Sequence, residues 1–355
     1  MKTKKKILFV GTSVTGGGAE RVFINIINSI DAERFEMKVV LTCAPETTDL
    51  RNDIPVTFYG FHHMRQSLRQ LLSEIKHFRP DYVFTSHGTI AWTLPMIRLA
   101  SRCPFRIITR VAVTPSEKFR VNRKSRIQEL LSALFYPKMD LVIAQTQFMK
   151  NDLAERYHVS QEKIAVIHNI VDFKRIAALA TESVPAEIIP GRYNLIASGA
   201  LYSIKGFDLL IDAIALIRSR IPNLHLSILG EERYENGYRR FLEQKIATLQ
   251  LQQNVRLLGH KNNPYPYYKQ ADLFVLSSRK EGFPNVVLEA LSLGTPVVCT
   301  DCVDFTDIIT PHNGTIVRKN SAETLAKGIL DMAASVRKPI AFSYRNFDYN
   351  TLFQA

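Results

Sequence analysis

Residues 271–300 read ADLFVLSSRKEGFPNVVLEALSLGTPVVCT. Leu273–Leu276 and Pro296–Thr300 are short, continuous apolar runs of strand length. Between them Pro284 suits the first turn of a helix, apolar positions continue to Leu293, and Gly294 ends the pattern. The order is strand, loop, helix, strand. A strand apolar at every position is covered on both faces, the condition of a parallel sheet flanked by helices. Ligands of such sheets gather at the C-terminal ends of the strands, which places Glu281, in the loop after the first strand, on the ligand-binding edge.

The same alternation runs outward through the chain. Ile7–Val10, Met37–Thr42, Val56–Tyr59, Tyr82–Ser86, Arg106–Arg110 and Leu141–Ala144 read as strands upstream. Helical stripes fall at Val22, Phe23, Ile26, Ile27 and Ile30, and again at Leu68, Leu71, Leu72, Ile75 and Phe78. The pattern pauses at Thr181–Arg192, where Ser183, Pro185, Pro190 and Gly191 cluster as a linker would. It resumes with strands at Leu195–Gly199, Leu224–Gly230 and Val255–Gly259, and a helix stripe at Phe207, Leu210, Ile211, Ile214 and Ile217. The 355 residues therefore predict two doubly wound α/β domains facing each other across a cleft.

Charge is uneven. The chain holds 46 Lys+Arg and 33 Asp+Glu, a net of +13; residues 1–185 hold 27 basic and 17 acidic residues, a net of +10. A basic first half suits an anionic partner: nucleic acid, a membrane surface or a phosphorylated substrate. No apolar run approaches the roughly 20 residues of a membrane span. The longest candidate, Leu130–Ala144, is broken by Pro137, Lys138 and Asp140. Ile7–Val10 is too short for a signal-peptide core. Four cysteines suggest a reducing compartment, and the lone CxxC at Cys299 and Cys302 lacks the second pair of a zinc site. The expected location is cytoplasmic, and no metal is expected.

Four features at strand ends bear chemistry. Gly16-Gly17-Gly18-Ala19-Glu20-Arg21 opens the first helix and is either a flexible turn or a phosphate cradle; it is neither a P-loop nor a GxGxxG. Lys205 lies in Gly199–Gly206, where a point charge suits a diphosphate and a solvated lysine is the plain alternative. Glu281 and Glu289 bracket a helix start whose amides at Asn285 and Val286 suit phosphate oxygens. His87 ends the Tyr82–Ser86 strand. A basic run, Lys118, Arg120, Arg123, Lys124 and Arg126, precedes an apolar stripe at Ile127, Leu130, Leu131, Leu134 and Phe135. That pairing fits an anionic bilayer surface, or a core-facing helix with solvated charges.

Taken in order, Gly17–Arg21, Ile167–Asp172, Lys205–Phe207 and the Glu281/Glu289 spacing resemble the retaining glycosyltransferases of family 4, with the likeness running from Gly16 to about Ala333. The resemblance implies the GT-B architecture of two Rossmann-like domains: 1–182, a linker at 183–192, 193–333, and a tail, 334–355, free to pack back on the first domain. It implies that Glu289 binds the nucleotide ribose and Glu281 the donor sugar. The Phe283, Pro284, Asn285 and Val286 backbone holds sugar and diphosphate, Lys205 neutralises the diphosphate, and Gly17 and Gly18 approach it. His87, with Arg110, stands on the acceptor side. His87, Lys205 and Glu281 form the catalytic set. One departure is Ala200, where many relatives have an arginine beside the diphosphate; Arg279 and Arg21 are the candidate substitutes. Another is Gly230-Glu231-Glu232 in place of the family's Gly-x-Gly.

The resulting expectation is a metal-independent, retaining hexosyl- or N-acetylhexosaminyltransferase. It takes a nucleotide-sugar, by resemblance a UDP-sugar, and a glycan acceptor carried on a lipid diphosphate at the inner membrane face, in surface polysaccharide assembly such as lipopolysaccharide or capsule. The alternatives are a sugar-nucleotide 2-epimerase of the same architecture, which needs no acceptor, and a nucleic-acid binder, for which no interleaved basic and aromatic motif is present.

Overall fold

The computed structural model describes the chain except residues 1–3, 14–16, 44–48, 61–66, 118–122, 184, 222, 233–236, 336–339, 341 and 355. It forms two compact units, Met1–Ile170 with Asn346–Ala355, and Val171–Arg345.

The first unit contains β1 (Lys5–Gly11), β2 (Phe35–Leu41), β3 (Val56–Phe58), β4 (Tyr82–Thr85), β5 (Arg106–Arg110), β6 (Leu141–Ala144) and β7 (Ile164–Val166). They lie in the order β3-β2-β1-β4-β5-β6-β7, every neighbour parallel. Alternate strand residues face opposite layers. Leu8, Val10, Val83 and Ile107 meet Leu71 and Ile75 from the helix Leu68–Phe78 on one side. Ile7, Phe9, Val39 and Phe84 meet Val22, Phe23 and Ile26 from the helix Gly18–Ser29 on the other, together with Tyr349 and Phe353.

The second unit contains β8 (Tyr193–Ser198), β9 (Leu224–Leu229), β10 (Val255–Gly259), β11 (Leu273–Leu276), β12 (Val297–Thr300) and β13 (Gly314–Val317). Their order is β10-β9-β8-β11-β12-β13, again all parallel. Helices Phe207–Ile217 and Ala322–Ala334 cover one face, and Tyr265–Gln270 and Asn285–Ser292 the other. Both sheets match the expected doubly wound form.

The expected boundary at 183–192 moves. The helix Phe173–Leu179 belongs to the second unit, because Val171, Ile176 and Ala180 bury into the cluster around Phe274 and Leu288. The stretch expected as a linker is packed there too. Ile188 is buried in the same cluster, and Asn194 Nδ2 donates to the Ile189 carbonyl at 3.0 Å. Among the described residues, no helix is long and apolar enough to cross a membrane.

Candidate functional site

In each sheet one strand is flanked by its successor on one side and a later strand on the other. These are β1, between β2 and β4, and β8, between β9 and β11. Crossovers leave such a point in opposite directions, and the strand ends open into a crevice. All four sequence features lie at these points: Gly17 and Gly18 after β1, His87 after β4, Lys205 after β8 and Glu281 after β11.

In the second unit the loops after β8 and β11 meet. Lys205 Nζ lies 2.7 Å from Glu281 Oε1, with side chains 25% and 12% exposed. Ser278 Oγ donates to the same carboxylate oxygen at 2.7 Å, and the Ser278 carbonyl accepts from Thr300 Oγ1 at 2.6 Å. Gly206, at φ 65°, passes so close to the Ser277 carbonyl that a Cβ would sit 2.1 Å from its oxygen. A side chain there would push the two loops apart. Gly230 retains the first glycine of the degraded pattern where one is needed, since a Cβ would sit 1.8 Å from the Gly199 carbonyl oxygen.

The helix Asn285–Ser292 starts beside this pair, with Pro284 as its cap residue. Asn285 and Val286 are partly exposed, whereas Glu289 is buried. The Phe283 ring packs on Phe305, 5.8 Å between centroids, which leaves its backbone as the group that can face a ligand. Arg279, a candidate substitute for the arginine missing at Ala200, is paired with Asp208. Its Nη1 donates to Asp208 Oδ1 at 2.8 Å and to the Ser203 carbonyl, and its Nη2 to Asp208 Oδ2 at 2.7 Å. Burial pushes the Asp208 carboxyl up, and Arg279 with the Tyr238 hydroxyl outweigh it, leaving it below the usual carboxylate range. Cys299 and Cys302 are free thiols, and burial pushes Cys302 up to about 12.

In the first unit His87 caps the short helix Gly88–Ala91. Thr12 Oγ1, after β1, lies 3.3 Å from a ring nitrogen of His87, and the Phe23 ring stands edge-on, 6.3 Å between centroids. Burial lowers the imidazole's pKa against the pull of Glu20. Gly17 precedes the helix Gly18–Ser29 in extended form, and its carbonyl accepts from Arg21 N–H at 3.0 Å. A Cβ on Gly18 would meet nothing within 4 Å, so its backbone is approachable. Gly16 lies outside the described residues.

Arg110 is not at an acceptor surface. It is 2% exposed, and its Nη2 donates to Asn169 Oδ1. Burial pulls its pKa down to about 10, opposed by the neighbouring Tyr349. A strand-end arginine gives no sequence sign of which way it turns.

Of the basic run, Lys118 and Arg120 lie outside the described residues, as do the side chains of Arg123, Lys124 and Arg126. The helix they open, Arg123–Phe135, is split by face. Leu131 packs on the core and Phe135 is buried, while Ile127, Leu130 and Leu134 are 51%, 70% and 55% exposed. Leu131 and Phe135 therefore leave the expected membrane stripe. The sequence did not single out Thr300, Asp208 or Tyr238, whose partners lie 22 to 71 positions away, nor Ser278, whose bond to Glu281 depends on the shape of the loop. Among the described residues no group of three or more His, Cys, Asp or Glu side chains could hold a metal ion.

Residues 16–175 match the family model described as Glycosyltransferase Family 4, and residues 181–346 the model described as Glycosyl transferases group 1. An uncharacterized glycosyltransferase of Methanocaldococcus jannaschii is 32% identical over 242 residues, 66% of this chain and 58% of that protein. The N-acetylgalactosamine-N,N'-diacetylbacillosaminyl-diphospho-undecaprenol 4-alpha-N-acetylgalactosaminyltransferase of Campylobacter jejuni is 32% identical over 197 residues, 55% of this chain and 51% of that protein. The chain thus spans little more than half the length of these two relatives. Anabaena HepE in complex with UDP superposes with a TM-score of 0.76 at 20% identity, covering 98% of this chain and 94% of that one, a likeness of fold.

Proposed function

We propose, for a chain that belongs to glycosyltransferase family 4 and has the GT-B fold, that it moves a hexosyl or N-acetylhexosaminyl group from a UDP-sugar to a lipid-linked glycan with retention of configuration. The observation that carries this reading is the Lys205–Glu281 pair, 2.7 Å apart at the β8/β11 switch, with Glu289 buried on the adjoining helix. The Glu281 carboxylate sits on Lys205 as a donor phosphate would. When donor binds, the diphosphate replaces it on Nζ, and Glu281, held by Ser278, turns to the sugar hydroxyls. Glu289 takes the ribose hydroxyls. The amides at the helix start add donors for phosphate oxygens.

In the transfer the bond between the sugar C1 and the β-phosphate oxygen breaks, and its electron pair leaves on the phosphate. The acceptor hydroxyl oxygen bonds C1 from the same face, and its proton passes to the departing phosphate oxygen. Lys205 and the helix start balance the charge that grows there, so the step needs no metal. The lipid-linked acceptor is supported by the diphospho-undecaprenol substrate in the Campylobacter protein's name and by the exposed leucines of Arg123–Phe135. It implies work at the cytoplasmic face of a membrane, in polysaccharide assembly.

Thermal shift with a panel of UDP-, GDP-, ADP- and CMP-sugars in EDTA tests the donor. The expected result is stabilisation by a UDP-sugar. No stabilisation by any nucleotide-sugar overturns the reading, stabilisation only after Mn²⁺ or Mg²⁺ is added overturns its metal-free part, and epimer formation without acceptor makes the protein a 2-epimerase.

A further inference from the structure

Segments Ser203–Asp208 and Ser277–Glu281 are joined at almost every residue. Arg279 N–H donates to the Ile204 carbonyl at 2.8 Å, and Ser277 Oγ to the Lys205 carbonyl at 2.9 Å. Gly206 abuts the Ser277 carbonyl with no room for a Cβ. The Arg279 guanidinium closes the set as a two-bond fork on Asp208, with a further bond to the Ser203 carbonyl. Tyr238 Oη donates to Asp208 Oδ1 at 2.8 Å from the next helix. Lys205 lies inside this frame, between the residues that Arg279 grips.

We infer that Arg279 and Asp208 are positioning residues of the donor site, whose forked ion pair fixes the Lys205 turn at a set distance from Glu281. The inference rests on the nucleotide-sugar reading for its ligand, though not for the clamp itself. Only a guanidinium can make both carboxylate bonds and still reach Ser203; an ammonium is a single point charge. The competing role is direct: Arg279 leaves Asp208 and takes a phosphate oxygen in place of the arginine absent at Ala200. The two roles differ in what Asp208 does. As a clamp partner it aids binding; as a competitor it restrains the cation.

The test compares Arg279→Lys, Arg279→Met, Asp208→Ala and the Arg279→Met/Asp208→Ala double variant. Calorimetry with UDP gives affinity, and hydrogen exchange of the ligand-free proteins over residues 201–210 gives the mobility of the Lys205 turn. The clamp predicts that each single change weakens UDP by about tenfold. The double variant should be no worse than the weaker single, because coupled partners are not additive. It also predicts faster exchange in all four, Arg279→Lys included, since charge without the fork does not restore the geometry. Retained affinity in Arg279→Lys with unchanged or tighter binding in Asp208→Ala overturns it in favour of direct phosphate binding. Unchanged exchange overturns it as well. If the unaltered protein does not bind UDP, the donor reading loses its nucleotide, and exchange alone decides the clamp: faster supports it, unchanged refutes it. Arg279→Lys keeps the charge and bulk, so a folding failure in the harsher variants does not remove the measurement.

Discussion

Lys205 enters the proposed reaction already neutralised by a carboxylate, so exchanging that partner for a diphosphate changes little in the ground state. Its contribution grows as negative charge builds on the departing phosphate. Lys205→Ala should therefore lower kcat on the order of 10²–10³-fold while KM changes less, as for loss of one preorganised charge partner. Steady-state kinetics with donor and acceptor check this, and an equal loss carried wholly by KM would contradict it. A second titratable residue acts on stability. His225, on β9, is 1% exposed, and burial, helped by Arg192 and Arg256, lowers its pKa to about 4. The unfolded chain protonates it near the ordinary 6.5, so the unfolded state binds the extra proton between those values. Stability from the neutral ring is complete above about pH 6.5 and is lost as pH falls towards 4, by up to about 1.4 kcal/mol per unit. Urea midpoints at pH 7.5 and 5 should separate further for the unaltered protein than for His225→Leu; equal separations would refute the assignment. The positions of Lys205, Glu281 and His87 at strand ends were legible in the sequence because each stands in a loop that follows a readable strand, and that of Glu289 because it lies on the helix after Glu281. Asp208 and the inward turn of Arg110 were not, since a hydrogen-bond partner 71 positions away, as Asp208 is from Arg279, leaves no periodic trace.

Among the elements, the long apolar strands were legible, with ends shifted by one or two residues, and so were the helices with a clear apolar stripe such as Phe207–Ile217; the helices Gln147–Tyr157, Tyr238–Thr248 and Ala322–Ala334 were not. The edge strands β7 and β13 were not. They have three and four residues, and β13 has a single buried position, so neither the continuous nor the alternating signature appears. The helix Arg123–Phe135 was half legible. Its apolar residues were seen, but their division between core and solvent depends on which neighbours arrive. Ile127, Leu130 and Leu134 stay exposed on one face. That face, following five basic residues, should sediment the protein with anionic vesicles at low salt and not with neutral ones. Each basic residue near the surface adds about 1 kcal/mol. Salt should release the protein, and so should charge reversal at Arg120, Arg123, Lys124 and Arg126. A protein left in the supernatant with anionic vesicles at low salt has no such attachment, and the transferase reading does not depend on it.

At the scale of the molecule, two domains were legible from the repeated alternation, but the division between them was not. A Pro- and Gly-rich stretch marks turns, and whether those turns join two cores or wrap one depends on residues such as Ile188, which here finds the second core. The chain also returns to the first unit at Asn346. Phe353 is fully buried there, its ring within 6.2 Å of Phe9, 6.0 Å of Phe35 and 5.4 Å of Tyr82 between centroids. Synthesis from the N-terminus therefore delivers the last piece of the first core after every residue of the second unit. Until that piece arrives, the sheet whose strands are made first waits with an aromatic pocket open. Chains stopped at residue 345 should then show a protease-resistant second unit and a first unit cleaved far faster than in the 355-residue chain; equal resistance of both would mean that the pocket closes without its final aromatic.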